Sequence, residues 1–163
     1  MRQFFVVTAC LCLAACGQNK VADTANATPG WTHAKSADEV SLTSEGTDSA
    51  STFRLVCAKA GPALTASAAQ SQVGIANMAS PFALVVGGGT FPAERVAGSD
   101  VGQTFSVSLP VTADVLAAVR DTTTARIFVN GGYAFAESDI DPGQEFENFV
   151  TACSALTGVA AKH

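Results

Sequence analysis

The sequence predicts an α+β domain: an antiparallel β-sheet, sandwich-like or half-covered, with one short helix and a C-terminal helix packed on it. Three observations predict it. Several segments alternate apolar and polar residues with the period of two that a half-buried strand requires. Asn130-Gly131-Gly132 separates two short apolar runs, a hairpin signal because primed turns need positive φ. Finally, Phe146, Phe149, Val150, Cys153 and Leu156 recur at three- and four-residue steps, one continuous apolar stripe on a helix.

A chain of 163 residues fits one domain better than two. It is 48% hydrophobic and only 14% charged, the opposite of the balance that keeps a chain permanently disordered. The net charge of -5 sets the chain against phosphate backbones, so nucleic acid is not an expected partner. The same sign argues against polybasic attraction to anionic lipid.

Met1-Arg2-Gln3 gives a short positive start, and residues 4–15 are apolar apart from Thr8. That run is shorter than the roughly 20 residues a bilayer-spanning helix needs, and has the length of a signal-peptide core. It ends in Leu13-Ala14-Ala15-Cys16-Gly17, which resembles the lipobox of bacterial lipoproteins. The resemblance implies cleavage before Cys16 and lipidation of its thiol, with the membrane reached through that lipid. The competing reading is an ordinary signal peptide with Ala-x-Ala cleavage and a coincidental cysteine. One acyl chain anchors only marginally, and a lipoprotein carries two or three on one residue. Gly17 stands where Asp would signal inner-membrane retention, so the expected address is the outer membrane, facing the periplasm. The expected organisation is a signal peptide over residues 1–15, a lipid-anchored flexible tether over 16–30, and one secreted domain over 31–163. The tether holds a single bulky apolar residue, Val21.

Within the domain, residues 31–35 and 39–43 form the first, weaker strand pair. Phe53, Leu55 and Cys57 then share one face of a strand, with Arg54 on the other. Residues 81–86 are a fully apolar run ended by Gly87-Gly88-Gly89, read as a turn between strands. Phe105, Val107 and Leu109 alternate with Thr104, Ser106 and Ser108, the cleanest strand pattern in the chain. Thr112 caps a short helix over residues 113–120, with Val111 and Leu116 as a hydrophobic staple and Asp114 in the positive first turn. Residues 127–129 and 133–135 flank the predicted hairpin turn. For the closing helix, Asp141 is the expected N-cap, Pro142 the first helical residue and Gln144 the partner in a capping box. Gly158 is the expected stop.

Of five cysteines, Cys10 and Cys12 leave with the signal peptide and Cys16 is consumed by lipid. Cys57 and Cys153 remain, an even pair in a disulfide-permissive compartment. The strand pattern and the helical stripe independently aim both thiols at one core, so a structural bridge is expected, not a redox or metal pair. The hairpin followed by a helix with a late cysteine resembles small periplasmic domains of the invasion-associated locus B type. That resemblance covers about the last forty residues and rests on spacing, and no activity is carried over from it.

The chemistry expected from the sequence is sparse. His33 and His163 are the only histidines, too few to converge on zinc. Asp139-Ile140-Asp141-Pro142-Gly143 resembles the start of an EF-hand loop, but Gly143 and Val150 occupy positions that need oxygen ligands. No Lys-Ser/Thr follows Gly87-Gly88-Gly89, and no helix opens there to receive phosphate. There is no Gly-x-Ser-x-Gly, and no serine has a histidine placed as base; a serine with Lys35 or Lys59 stays open. Glu145 and Glu147 lie two apart on the closing helix and do not face each other. Glu94 and Asp100 fall in a loop or edge strand and read as solvated charge. No catalytic, cofactor-binding or metal residue is assigned. Two aromatics are candidate contact residues: Trp31, which either is an exposed anchor beside the tether or plugs the sheet end, and Phe91, followed by Pro92 in a Gly-rich stretch. The expected role is a non-enzymatic module binding an envelope protein or a cell-wall ligand. The alternative is an envelope hydrolase whose site is assembled from residues far apart in sequence. A lysozyme inhibitor of the small β-barrel kind ranks low, because its Ser-Gly-Ala-type loop is missing.

Overall fold

A computed structural model describes residues 30–44, 53–69, 80–97, 104–129, 132–138 and 140–162. The expected signal segment, Cys16, the expected tether as far as residue 29, residues 130–131 of the expected hairpin turn, Asp100, Asp139 and His163 lie outside the described residues. The chain runs β1 Trp31–Lys35, β2 Glu39–Ser44, β3 Phe53–Ala58, β4 Ala63–Ala69, β5 Phe82–Val86, β6 Gly89–Arg95 and β7 Thr104–Pro110. Helix α1, Ala113–Arg120, follows, then β8 Thr124–Val129, β9 Gly132–Ser138 and helix α2, Gly143–Thr157. The strands form one antiparallel sheet in the order β1-β2-β3-β4-β7-β6-β5-β8-β9. The α+β class read from the sequence is the class observed.

Alternation explains which face is covered. On β3, Phe53, Leu55 and Cys57 are buried while Arg54 is exposed. The β2 register sets Leu42 against Leu55 and Val40 against Cys57, so both strands bury the same face. Arg54 reaches Glu39 on the other face, N–O 2.8 Å, with both side chains near half exposure. Such a pair contributes at most about 1 kcal/mol. Strand β7 buries Phe105, Val107 and Leu109 as expected, and Ser106 is buried as well, its hydroxyl 2.8 Å from that of Ser67 on β4.

Helix α2 lies across β1, β2 and β3 and packs against α1. Its stripe is the predicted one: Phe146, Phe149, Val150 and Cys153 are buried, with Ala152 beside them and Leu156 partly buried against the core. Cys153 is bonded to Cys57, Cα–Cα 5.8 Å, which fastens the helix to the C-terminal end of β3 across 96 residues of chain.

The α1 cap is as expected: Thr112 accepts from the Val115 N–H at 3.2 Å, and Val111 and Leu116 are both buried. At α2 the capping box is corrected. The helix begins at Gly143, whose φ of 40° breaks the helical path, and Pro142 occupies the cap position without a side-chain bond. Asp141 still accepts the Gly143 N–H at 3.2 Å, but the Gln144 amide donates forward to Asn148 instead of back. Gly158 ends the helix in the left-handed region, φ 75°, and its N–H bonds to the Ser154 carbonyl.

The β5–β6 turn is Gly87-Gly88, both with positive φ, the geometry of a primed two-residue hairpin. It packs on α1 so closely that a Cβ at Gly87 would lie 2.3 Å from the Ala118 carbonyl oxygen. The Gly87 N–H donates to the buried Thr122 hydroxyl at 2.8 Å, tying turn, helix and β8 together.

Candidate functional site: a cleft where two strands part

Strand β6 is paired on both sides, but not along the same length. Residues 89–93 pair with β5, whereas only Glu94 and Arg95 pair with β7, opposite Ser108 and Val107. The Val96 N–H continues that ladder to the Ser106 carbonyl at 3.0 Å. In an antiparallel pair every second residue faces its neighbour with both N–H and C=O. Positions 96/106 and 94/108 are therefore hydrogen-bonding pairs, and the next would be 92/110. Both of those residues are proline. Neither has an N–H, so neither bond of that pair can form, and the strands part there.

The opening is a cleft of about 570 Å³ lined by Gly61, Pro62, Ala63, Pro92, Ala93, Glu94, Ser108, Leu109 and Pro110. On its far side β7 stays paired to β4, through Ala63 opposite Pro110 and a bond from the Val111 N–H to the Pro62 carbonyl at 3.0 Å. The walls are mostly apolar. Glu94 is the one charged side chain among the lining residues, and it is exposed. By register Glu94 sits directly across from Ser108, on the same sheet face as Pro92 and Pro110. The polar equipment is thus weighted towards acceptors: a carboxylate, a hydroxyl, and the Pro92 and Pro110 carbonyls that the ladder leaves without donors. That set suits recognition of a ligand rich in N–H groups.

The structure corrects one contact residue. Trp31 is only 4% exposed and cannot serve as a surface anchor. Its ring meets Phe146 of α2 edge-on at 4.7 Å and Phe53 of β3 at 6.4 Å, so it plugs the sheet end beneath the helix. Phe91 is half-buried and packed against the core, its ring folded over Gly89. It borders the cleft through its neighbour Pro92 but does not line it. His33 on β1 is half-buried, and its Nε2 has no hydrogen-bond partner. Asp141 is occupied by the Gly143 N–H. Among the described residues no group of three or more His, Cys, Asp or Glu side chains gathers as a metal site. The Arg120 guanidinium, hydrogen-bonded to Asp121 at 2.8 Å, holds that carboxyl below its usual range; this pair ends α1 and does not line the cleft.

The sequence alone does not reveal the cleft: there Glu94 reads as solvated charge and Pro92 only as the residue after Phe91 in a Gly-rich stretch. Its signal was present: two prolines, each inside an extended run, that antiparallel register sets opposite one another. No family model, no curated protein and no solved structure matches this chain.

Proposed function

We propose that this is a lipid-anchored protein of the bacterial cell envelope whose folded domain is a non-enzymatic binding module. The observation that carries the binding role is the β6–β7 cleft, with apolar walls, one carboxylate and backbone acceptors left over by a proline pair. Its volume is in the range of about 300–1,000 Å³ usual for ligand sites. Two features support the address. The Leu13-Ala14-Ala15-Cys16 run fits lipoprotein processing. The buried Cys57–Cys153 bridge fits an oxidising compartment, where such bonds form and persist. A stable core on a tether at the outer membrane would present the cleft to envelope proteins or wall polymers in the periplasm.

The reading is tested in cells by detergent phase partition and acyl labelling of the native chain beside Cys16→Ser, followed by cross-linking capture. The native chain is expected to enter the detergent phase, carry label and recover a specific envelope component through residues at the cleft. A Cys16→Ser chain that still partitions into detergent would overturn the anchor. Equal capture by a variant with Glu94 reversed to Lys would overturn the cleft as the binding surface.

A further inference from the structure

We infer that the cleft between β6 and β7 takes an extended peptide segment of a partner protein, with a lysine or arginine of that segment facing Glu94. This rests on the reading of the cleft as a binding site and names its ligand class. A strand added to an open edge is held by main-chain hydrogen bonds, with side-chain pockets giving specificity. Here the two facing edges each offer a carbonyl, Pro92 and Pro110, and neither offers an N–H. An extended backbone laid between them supplies the missing donors to both. A glycan hydroxyl can also donate, but it does not match two strand edges.

Charge selects the kind of peptide. Glu94 is the one charged liner, and the whole chain is net negative, -5. A carboxylate beside proline walls favours a cation with an apolar stem, which lysine and arginine supply. An acidic segment would meet Glu94 across the cleft with no cation among the lining residues to neutralise it. The Ser108 hydroxyl, opposite Glu94 in the register, is placed to accept a hydrogen bond from the same head group.

The experiment uses the full chain purified in detergent and fluorescence anisotropy with three labelled, blocked hexapeptides: alternating Val-Lys, Val-Glu and Val-Ser. A soluble muropeptide is the fourth probe. The Val-Lys peptide is expected to bind, the Val-Ser peptide more weakly and the Val-Glu peptide not at all. Glu94→Gln, a change at an exposed side chain, should weaken the Val-Lys peptide about tenfold, the loss of one charge-assisted bond. The double variant Pro92→Val with Pro110→Val restores both N–H groups. It should let 92 pair with 110, close the cleft and abolish peptide binding without lowering the melting temperature. Equal affinity for Val-Glu and Val-Lys, no effect of Glu94→Gln, or binding of the muropeptide alone would overturn the inference. Those failures are distinct from failure of the anchor, which the Cys16→Ser partition reads independently.

Discussion

Replacing Cys57 and Cys153 together by alanine should remove a large part of the domain's stability. Both cysteines are fully buried, Cys57 near the end of β3 on the covered face of the sheet and Cys153 on the buried stripe of α2. The bridge spans 96 residues, so in the unfolded chain it closes almost the whole domain into one loop. In the chain-entropy treatment a loop of about 100 residues corresponds to about 4.7 kcal/mol. A domain of ordinary stability has only about 5–15 kcal/mol in total. Small cavities left by the missing sulfurs act in the same direction. The double variant is therefore expected to lose about 4–5 kcal/mol, or roughly 8–20 °C in melting temperature for a chain of this size. Urea unfolding followed through Trp31, the only tryptophan, reads the change directly. Reductant should lower the native protein's midpoint towards that of the double variant and leave the variant unchanged. A loss below about 1 kcal/mol, or a native midpoint insensitive to reductant, would refute the placement of these thiols.

Other substitutions test the local account. Gly87→Ala should cost about 2–4 kcal/mol in urea melts, because its Cβ would strike the Ala118 carbonyl at a residue with φ of 53°, whereas Gly88→Ala, with positive φ but open space, should cost only about 1–2 kcal/mol. Thr122→Val keeps the shape of a fully buried side chain but orphans the Gly87 N–H, for an expected loss of about 1–3 kcal/mol. Trp31 should emit at short wavelength in the folded protein and resist iodide quenching, and red-shifted, readily quenched emission would contradict its burial under α2. The Asp121 carboxyl is held below its usual pKa by Arg120, so this pair's stabilisation is complete above the unfolded-state pKa and is lost as pH falls through the lowered folded value. Carbon NMR titration of Asp121 should move back to the ordinary carboxylate range in Arg120→Gln.

The parts of the fold legible in the sequence are those where pattern and packing coincide. The α2 stripe, the β3 and β7 alternations, the Thr112 cap and the cysteine pair each follow from a periodicity that the buried residues reproduce. Strand β4 was not legible because Ala-Leu-Thr-Ala-Ser-Ala-Ala carries almost no bulk. Its logic emerges only with register: Ala68 lies opposite Phe105 and Ala66 opposite Val107, small against large across the covered face. Strand β6 was obscured by Pro92, a residue that ordinarily argues against a paired strand. It is tolerated because the side that would need its N–H faces Pro110 and the cleft. The same pairing explains why the candidate site was invisible: the prolines are eighteen positions apart in sequence, and only the β7-β6 neighbour relation brings them together. Trp31 carried two open readings, and its burial depended on where α2 comes to rest, which no local pattern specifies.

Intact mass spectrometry of the chain purified from the envelope fraction, before and after reduction, tests the central proposal most directly. The expected species lacks residues 1–15, carries acyl mass on Cys16, and gains two hydrogens on reduction as the Cys57–Cys153 bridge opens. A chain that retains residues 1–15, or one cleaved there without lipid, would contradict the anchored envelope module.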